Sequence, residues 1–354
     1  MLEPTDAGEV QLKRETQVRI WALLGARPGD NDQVIALARA LGLPFTVKRL
    51  HYNRLHLLGP RLLGASLAAL TPGSRRDVSA DAAPDVTIST GHRSVPVVRW
   101  LRRRAGTRSI HIGFPRVSPA NFDLVVATPQ YPIADHPNLL RIPIALTSAA
   151  VSYPDPNGTD RDVDLPYPRR LLIVGGPTLF WKLNRQAIAR TLGELVDEAR
   201  SSGGAVLVTS SPRTPVVVRR ELASILRNAG VESLLAHPGD GCSYETLLTA
   251  ADSIHVTADS VSMISDAVWT AKPVALIAVA PSAAGRLVFS IHDMLKPGTR
   301  VYPQDLRFFW RALQDMGVSD ELAAPRSSTR AIVATVTSRA AALVAKRRAA
   351  VLTQ

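Results

Sequence analysis

Ser253-Ile254-His255-Val256-Thr257-Ala258-Asp259-Ser260-Val261-Ser262-Met263-Ile264-Ser265-Asp266-Ala267-Val268-Trp269-Thr270-Ala271-Lys272-Pro273-Val274-Ala275-Leu276-Ile277-Ala278-Val279 carries the architecture of the chain in miniature. A short apolar run, 253–257, enters a polar turn. A helix-like segment follows over 261–270, and a Lys-Pro step leads into a second apolar run. This pattern is one β–turn–α–turn–β unit of a parallel sheet. Asp259 or Ser260 is placed to N-cap the helix. The same end offers backbone N–H groups and the positive pole of the helix dipole, which suits a phosphate. Asp266, further along the helix, is spaced to meet a sugar hydroxyl. Capped helices are ordinary parts of α/β proteins, so the capping reading and the phosphate reading both stand at this point.

Working outward, strands and helices alternate on both sides. Val18–Leu24 reads as a strand, Gly25–Gln33 as a Gly-rich turn and Val34–Leu41 as a helix stopped by Gly42. Phe45–Arg49, Asp85–Ser89, Ser109–Ile112, Phe122–Ala127 and Leu139–Ile142 read as further strands, with a helix over Ser94–Arg104 and a loop over 71–85. The proline- and aspartate-rich stretch 147–168 reads as a linker. Beyond it come strands at Arg170–Val174, Ala205–Thr209 and Glu232–His237, and helices at Leu183–Ser201, Val216–Asn228 and Ser243–Ala250. A loop through Phe289–His292 and a long Ala-rich helix, Ser328–Val351, follow. The predicted fold is therefore α/β: two doubly wound, Rossmann-like domains facing across a cleft, with ligands beyond the carboxyl ends of the strands. The predicted boundaries are an N-terminal domain 1–146 on the acceptor side, the linker 147–168, a C-terminal domain 169–327 on the nucleotide side, and a C-terminal helix 328–354.

Bulk properties narrow the function. The chain has 354 residues, 46% hydrophobic and 20% charged, which is a globular composition with core enough for two domains. A net charge of +12 favours anionic partners. One cysteine, Cys242, allows no internal disulfide and no Cys-based zinc site, which fits a reducing cytoplasm. Residues 1–17 read as a loose arm, and Met1–Arg19 lacks the apolar core of a signal peptide. No run is long enough to span a membrane. Leu55–Leu70 is the most apolar helix-like stretch, interrupted by Pro60 and flanked by Arg54 and Arg61. With the basic cluster Arg99, Arg102, Arg103, Arg104 and Arg108, it suggests a lipid-facing patch; a solvated face is the plain alternative. Aromatics make up 5% and do not interleave with these arginines, so no nucleic acid partner is expected.

Candidate chemistry gathers in loops after strands. Gly25–Asp32, Gly175-Gly176-Pro177, Thr209–Pro215 and Asp259-Ser260 share Gly, Ser, Thr or Arg. Glycines let a ligand approach the backbone, and Arg213 offers a phosphate fork. A Gly-x-x-x-x-Gly-Lys-Ser/Thr loop, a Gly-x-Gly-x-x-Gly fingerprint and a Gly-x-Ser-x-Gly elbow are all absent. Asp30-Asn31-Asp32 matches a D-x-D pattern, but Asp30 or Asn31 serves equally as a helix cap. Asp160, Asp162 and Asp164 read as solvated linker residues, and the histidines lack ligand spacing, so no metal site is expected. His92 and His111 end strands near the predicted rim. Asp30 is the candidate general base.

Five segments, in order, carry a resemblance: Gly29-Asp30-Asn31-Asp32-Gln33, Thr128-Pro129-Gln130-Tyr131, Gly175-Gly176-Pro177, Ser211-Pro212-Arg213-Thr214-Pro215 and Thr257-Ala258-Asp259-Ser260-Val261-Ser262-Met263. Together they resemble the elongated-mitochondria fission-factor family in its bacterial branch, from about Val18 to Gln314. Plant members sit on the mitochondrial surface and help recruit a dynamin-type protein, a role not carried over here. The family is similar in its second half to GT-B glycosyltransferases, where a phosphate-facing turn and an acidic helix residue hold a sugar donor's nucleotide. The resemblance places Asp259, Ser260, Ser262 and Met263 on that turn and helix start. Asp266 stands in place of a family Glu, and Ser211 in place of an Arg in a Ser-Arg-Arg-Thr-Pro pattern.

The expectation is a GT-B-like, metal-independent glycosyltransferase. It would use a nucleotide-diphosphate sugar such as a UDP-sugar as co-substrate, with no other cofactor, on a lipid or envelope-glycan acceptor. Nucleotide-binding candidates are Gly175, Gly176, Thr209, Ser210, Arg213, Asp259, Ser260, Ser262, Met263 and Asp266. Acceptor-side candidates are Arg27, Gly29, His92, Arg93, Arg116 and Gln130, with Asp30 as base. The expected location is cytoplasmic, peripheral on the inner face of an anionic membrane. The alternative is a non-catalytic peripheral or scaffold protein that kept the fold.

Overall fold

The computed structural model describes residues 18–152, 163–236, 243–326 and 329–352. The expected arm 1–17, Cys242 and the linker stretch holding Asp160 and Asp162 lie outside the described residues. The chain forms two compact units. Unit 1 comprises Met1–Thr128, Ile133–Ile142 and Ala331–Gln354; unit 2 comprises Pro129–Pro132 and Pro143–Arg330.

Unit 1 is a parallel six-stranded sheet of β1 (Ile20–Leu24), β2 (Phe45–Arg49), β3 (Val86–Thr90), β4 (Arg108–Ile112), β5 (Leu124–Ala127) and β6 (Leu139–Arg141), in the order β2-β1-β3-β4-β5-β6. β1 and β5 are buried along their whole length. Unbroken apolar runs of this kind are what a parallel sheet covered on both faces requires. The helices are α1 (Pro28–Ala40), α2 (Gly59–Leu63), α3 (Pro72–Ala80) and α4 (Gly91–Ala105).

Unit 2 begins with the short helix α5 (Ser148–Ser152). Its sheet contains β7 (Arg169–Val174), β9 (Ala205–Ser210), β10 (Ser233–Ala236), β11 (Ser253–Thr257) and β12 (Val274–Ile277), all parallel, in the order β10-β9-β7-β11-β12. That is the doubly wound order in which the first strand lies central and the chain winds outward in both directions. β8 (Trp181–Lys182) and β13 (Ala280–Pro281) form a small antiparallel pair. The helices α6 (Arg185–Ser202), α7 (Val216–Arg227), α8 (Tyr244–Ala250), α9 (Val261–Trp269), α10 (Ala283–Leu295) and α11 (Leu306–Asp315) complete this unit. Leu172, Val174, Val206 and Val208 of the sheet pack with Leu192, Leu195 and Leu222 of α6 and α7 into one apolar cluster.

Several expectations change. The predicted Gly-rich turn is mostly helix, because α1 starts at Pro28, whose fixed φ suits the first helical position. The predicted loop 71–85 contains α3, again opened by a proline. Phe289–His292 lies inside α10, not in a loop. Leu55–Leu70 is not one helix: a 3-10 turn, Arg54–Leu58, ends at Gly59, whose φ of 73° breaks continuity, and α2 follows with Pro60 in its first turn, where no N–H is needed. The final helix, α12 (Thr329–Leu352), is grouped with unit 1 from Ala331 onward, where Arg347 pairs with Asp85 at 3.3 Å. Among the described residues, no helix is long and apolar enough to cross a membrane.

Candidate functional site

In each unit the strand order reverses beside the first strand, between β1 and β3 in unit 1 and between β7 and β11 in unit 2. Crevices at such reversals are where open α/β sheets bind ligands. Most of the candidate residues fall at one reversal or the other.

In unit 2 the reversal is occupied by the protein itself. The Gly175 amide donates to the Thr257 hydroxyl at 2.7 Å, and the Gly176 amide donates to Asp259 Oδ2 at 2.9 Å. Thr257 donates in turn to Asp259 Oδ1 at 2.7 Å. The Arg213 guanidinium lies 3.6 Å from Asp259 and donates to the carbonyls of Gly176 and Pro177 at 3.1 and 3.2 Å. Both glycines are required by close approach. A Cβ at Gly175 would overlap the Asp259 carboxylate, and one at Gly176 would lie 2.6 Å from Arg213 Cβ. Thr214 closes the other side, its hydroxyl 3.0 Å from the Val174 carbonyl and 2.5 Å from that of Gly175. Burial raises the pKa of Asp259, against the opposing pull of its hydrogen bonds and Arg213.

Asp259 is therefore a strut under the glycine loop and does not cap α9. Ser260 holds the N-cap position but makes no side-chain capping bond; its hydroxyl is 3.5 Å from that of Ser262. The N-terminus of α9 is thus left without a side-chain cap. Ser262, Met263 and Asp266 are half-buried on α9, and Thr209 and Ser210 are buried at the end of β9. Arg213 keeps 49% of its side chain exposed, which leaves it in reach of an incoming anion.

The reversal in unit 1 is open. A small, solvent-facing cavity there is bordered by the loop after β1, by Tyr52 and by the start of α4. Arg27, Asp30, His92 and Arg93 all line it. The expected caps are corrected here. Arg27 occupies the N-cap of α1, Asp30 sits in its first turn, and neither provides a capping bond. Asn31 clamps Gly25, accepting from its amide at 2.7 Å and donating to its carbonyl at 2.9 Å. Thr90, at the N-cap of α4, likewise makes no side-chain capping bond.

Burial raises the pKa of Asp30, and Arg27 partly offsets this. His92 is pushed down to about 4 by burial and then by Arg116, Arg93 and Arg27, so it is neutral at physiological pH. Burial also raises the Tyr52 phenol. Arg116 is held at a φ of 59°, a backbone that costs a non-glycine residue about 1–3 kcal/mol. Gly29 is exposed on the first turn of α1. Gln130 does not join this cavity. It belongs to unit 2, is 1% exposed, and its carbonyl accepts from the Asp305 amide at 2.8 Å. His111 is a core residue of β4, paired with Ser89 at 3.0 Å and lowered to about 3, chiefly by burial.

The basic cluster on and after α4 is partly committed: Asp123 holds Arg108, at the start of β4, at 2.7 Å and Arg102 at 3.5 Å. Tyr52 was missed by sequence reasoning, since a lone aromatic between a strand and a leucine-rich stretch carries no signal of its own. Among the described residues, no group of three or more His, Cys, Asp or Glu is placed to hold a metal ion.

Comparison with known proteins adds the lineage. An uncharacterized protein, RP120, of Rickettsia prowazekii (strain Madrid E) is 22% identical over 297 residues, spanning 72% of this chain and 82% of that protein. The S. aureus MnaA-UDP co-structure is 14% identical, with 90% of this chain and 95% of that one covered and a TM-score of 0.49. The E. coli ADP-heptose lps heptosyltransferase II is 13% identical, with 93% and 99% covered and a TM-score of 0.41. With overlaps this low, neither structural likeness bears on what this chain does. The family model described as Mitochondrial fission ELM1 matches residues 28–346, and the chain belongs to that family.

Proposed function

We propose that the protein transfers a sugar from a nucleoside diphosphate, held by unit 2, to an acceptor hydroxyl held by unit 1. The observation that carries this reading is the pair of strand-order reversals, each beside a helix start without a side-chain cap. In unit 2 the diphosphate would sit at the N-terminus of α9, against Ser260, Ser262 and the exposed part of Arg213. Asp266 would be the ribose contact, and Gly175 and Gly176 the floor. Charge developing on the leaving diphosphate would be met by Arg213 and the helix N–H groups, without a metal. In unit 1 Asp30 would take the proton of the acceptor hydroxyl as that oxygen attacks the anomeric carbon and the bond to the diphosphate breaks. A carboxylate partly removed from water, with its pKa raised toward the working pH, suits that task. Arg27, Gly29, His92, Arg93 and Arg116 would form the acceptor side, at a membrane surface.

A second reading has its own support: the glycine amides of unit 2 are already bonded within the protein. That favours a scaffold that kept the architecture without the chemistry. A thermal-shift series with UDP-, GDP-, CMP- and dTDP-sugars separates the two. At about 100 times its dissociation constant, a ligand adds about 2.7 kcal/mol of apparent stability. Ser260→Trp should remove the effect without unfolding the protein, and EDTA should leave it intact. If none of these nucleotides raises the melting temperature, the transferase reading is lost and the scaffold stands.

A further inference from the structure

Cations dominate the cavity of unit 1. Arg27 and Arg93 line it and are exposed, and neither forms a salt bridge among the described residues. Arg116 adds a third positive charge near His92. Against these stand one acid, Asp30, and the neutral side chains of Tyr52 and His92. Two helix starts, those of α1 and α4, also reach the cavity. An excess of guanidinium over carboxylate in a concave site with free backbone donors fits a phosphate group.

An apolar shelf adjoins this cavity. From Tyr52 the chain passes directly into the 3-10 turn Arg54–Leu58 and then α2, which packs on α4. The Tyr52 and His56 rings lie 6.2 Å apart. Leu57 and Leu62 are each 78% exposed, Leu58 52% and Leu55 45%. Arg54 and Arg61 are exposed beside them. Leucines are usually among the most buried residues, so four exposed within eight positions mark a surface that receives something apolar.

We propose that unit 1 binds a lipid whose head group carries a phosphomonoester, the phosphate held by Arg27 and Arg93 in the cavity and the chain laid over Leu55, Leu57, Leu58 and Leu62. A soluble phosphate leaves the leucines unexplained, and general attraction to an anionic surface leaves the concave cation site unexplained. The proposal rests on the acceptor-side reading of unit 1, and it names the acceptor's class.

The test is vesicle sedimentation of the full chain without nucleotide, so failure of nucleotide binding in unit 2 does not decide it. Phosphatidylcholine vesicles carry either phosphatidic acid or phosphatidylglycerol at matched surface charge, and glycerol 3-phosphate is titrated separately. The expected result is about tenfold stronger retention on phosphatidic acid, about 1.4 kcal/mol. Arg27→Gln with Arg93→Gln should abolish that preference. Leu57→Ser with Leu62→Ser, at positions already in water, should weaken retention on both vesicles while circular dichroism stays native. Equal retention on the two vesicles, or none on either, overturns the proposal. So does tight binding of glycerol 3-phosphate that the leucine variant leaves unchanged, which would make the ligand a soluble anion.

Discussion

Asp30 and Asp259 each stand at the strand-order reversal of their sheet, Asp30 after the first strand and Asp259 after the strand across the reversal, and they have opposite surroundings. Asp259 is 5% exposed and bonded to a glycine amide and a threonine hydroxyl, with an arginine nearby. Asp30 borders an open cavity, has no hydrogen bond among the described residues, and feels one arginine. Burial raises both pKa values, but only one of the two carboxylates has a structural task. A carboxylate at a strand-order reversal is thus a strut in unit 2 and an unengaged acid in unit 1, and an unengaged acid in a cavity is free to do chemistry.

The largest expected effect that would break this contrast is on turnover. Asp30→Asn should lower the transfer rate by about 10²–10⁴-fold while the melting temperature holds or rises. A clear fall in melting temperature would make Asp30 a strut as well. Acid should separate the units next. Folded His111 stays neutral down to about pH 3, whereas the unfolded imidazole takes its proton near 6.5. The folded pKa is depressed, so stability falls as pH drops through that window, by at most about 1.4 kcal/mol per pH unit. The raised carboxyls work the other way, gaining relative stability as pH falls. His92 adds a second such imidazole to unit 1, against His255 in unit 2, which burial also lowers, so hydrogen exchange at pH 4 should show unit 1 opening before unit 2, and the reverse order would remove the histidines of unit 1 as the acid-sensitive point.

A smaller effect tests the strut directly. Asp259→Ala orphans the Gly176 amide and should cost about 1–3 kcal/mol in denaturant titration, while Asp30→Ala should show no comparable loss. Similar costs for the two would erase the distinction. Smallest is the clamp on the loop after β1: Asn31→Ala should cost about 1 kcal/mol and loosen the cavity wall, read as faster exchange at the Gly25 amide.

The strands were legible because a buried parallel strand is an apolar run between polar turns; Ser253–Thr257 has the bounds the sequence implied. Helix starts were not. Pro28-Gly29-Asp30-Asn31-Asp32 has turn composition, and only the tertiary setting makes Pro28 the first residue of a helix. α3 hides behind Pro72-Gly73 in the same way. The site was legible as a set of loops but not in its bonding. Asp259 is a good capping residue by type, and nothing local reveals that its partner is the amide of Gly176, 83 residues earlier. Gln130 was assigned by its neighbours in the sequence, yet the chain passes into unit 2 at Pro129–Pro132. The arginines on and after α4 looked alike until Asp123 was seen to hold two of them, Arg102 on the helix and Arg108 at the start of β4.

Unit 1 is assembled from three separate stretches of chain, the last of them Ala331–Gln354. Val336, Ala340 and Val344 of that stretch form a buried stripe, and Arg347 closes on Asp85, which also accepts from the Arg19 amide. On the ribosome, the chain of unit 2 therefore emerges in full before unit 1 has its final piece. Unit 2 can fold during synthesis, whereas unit 1 must wait with its sheet made and one helix missing. Any shortening of the chain before Ala331 should consequently be felt first in the unit whose strands were made earliest.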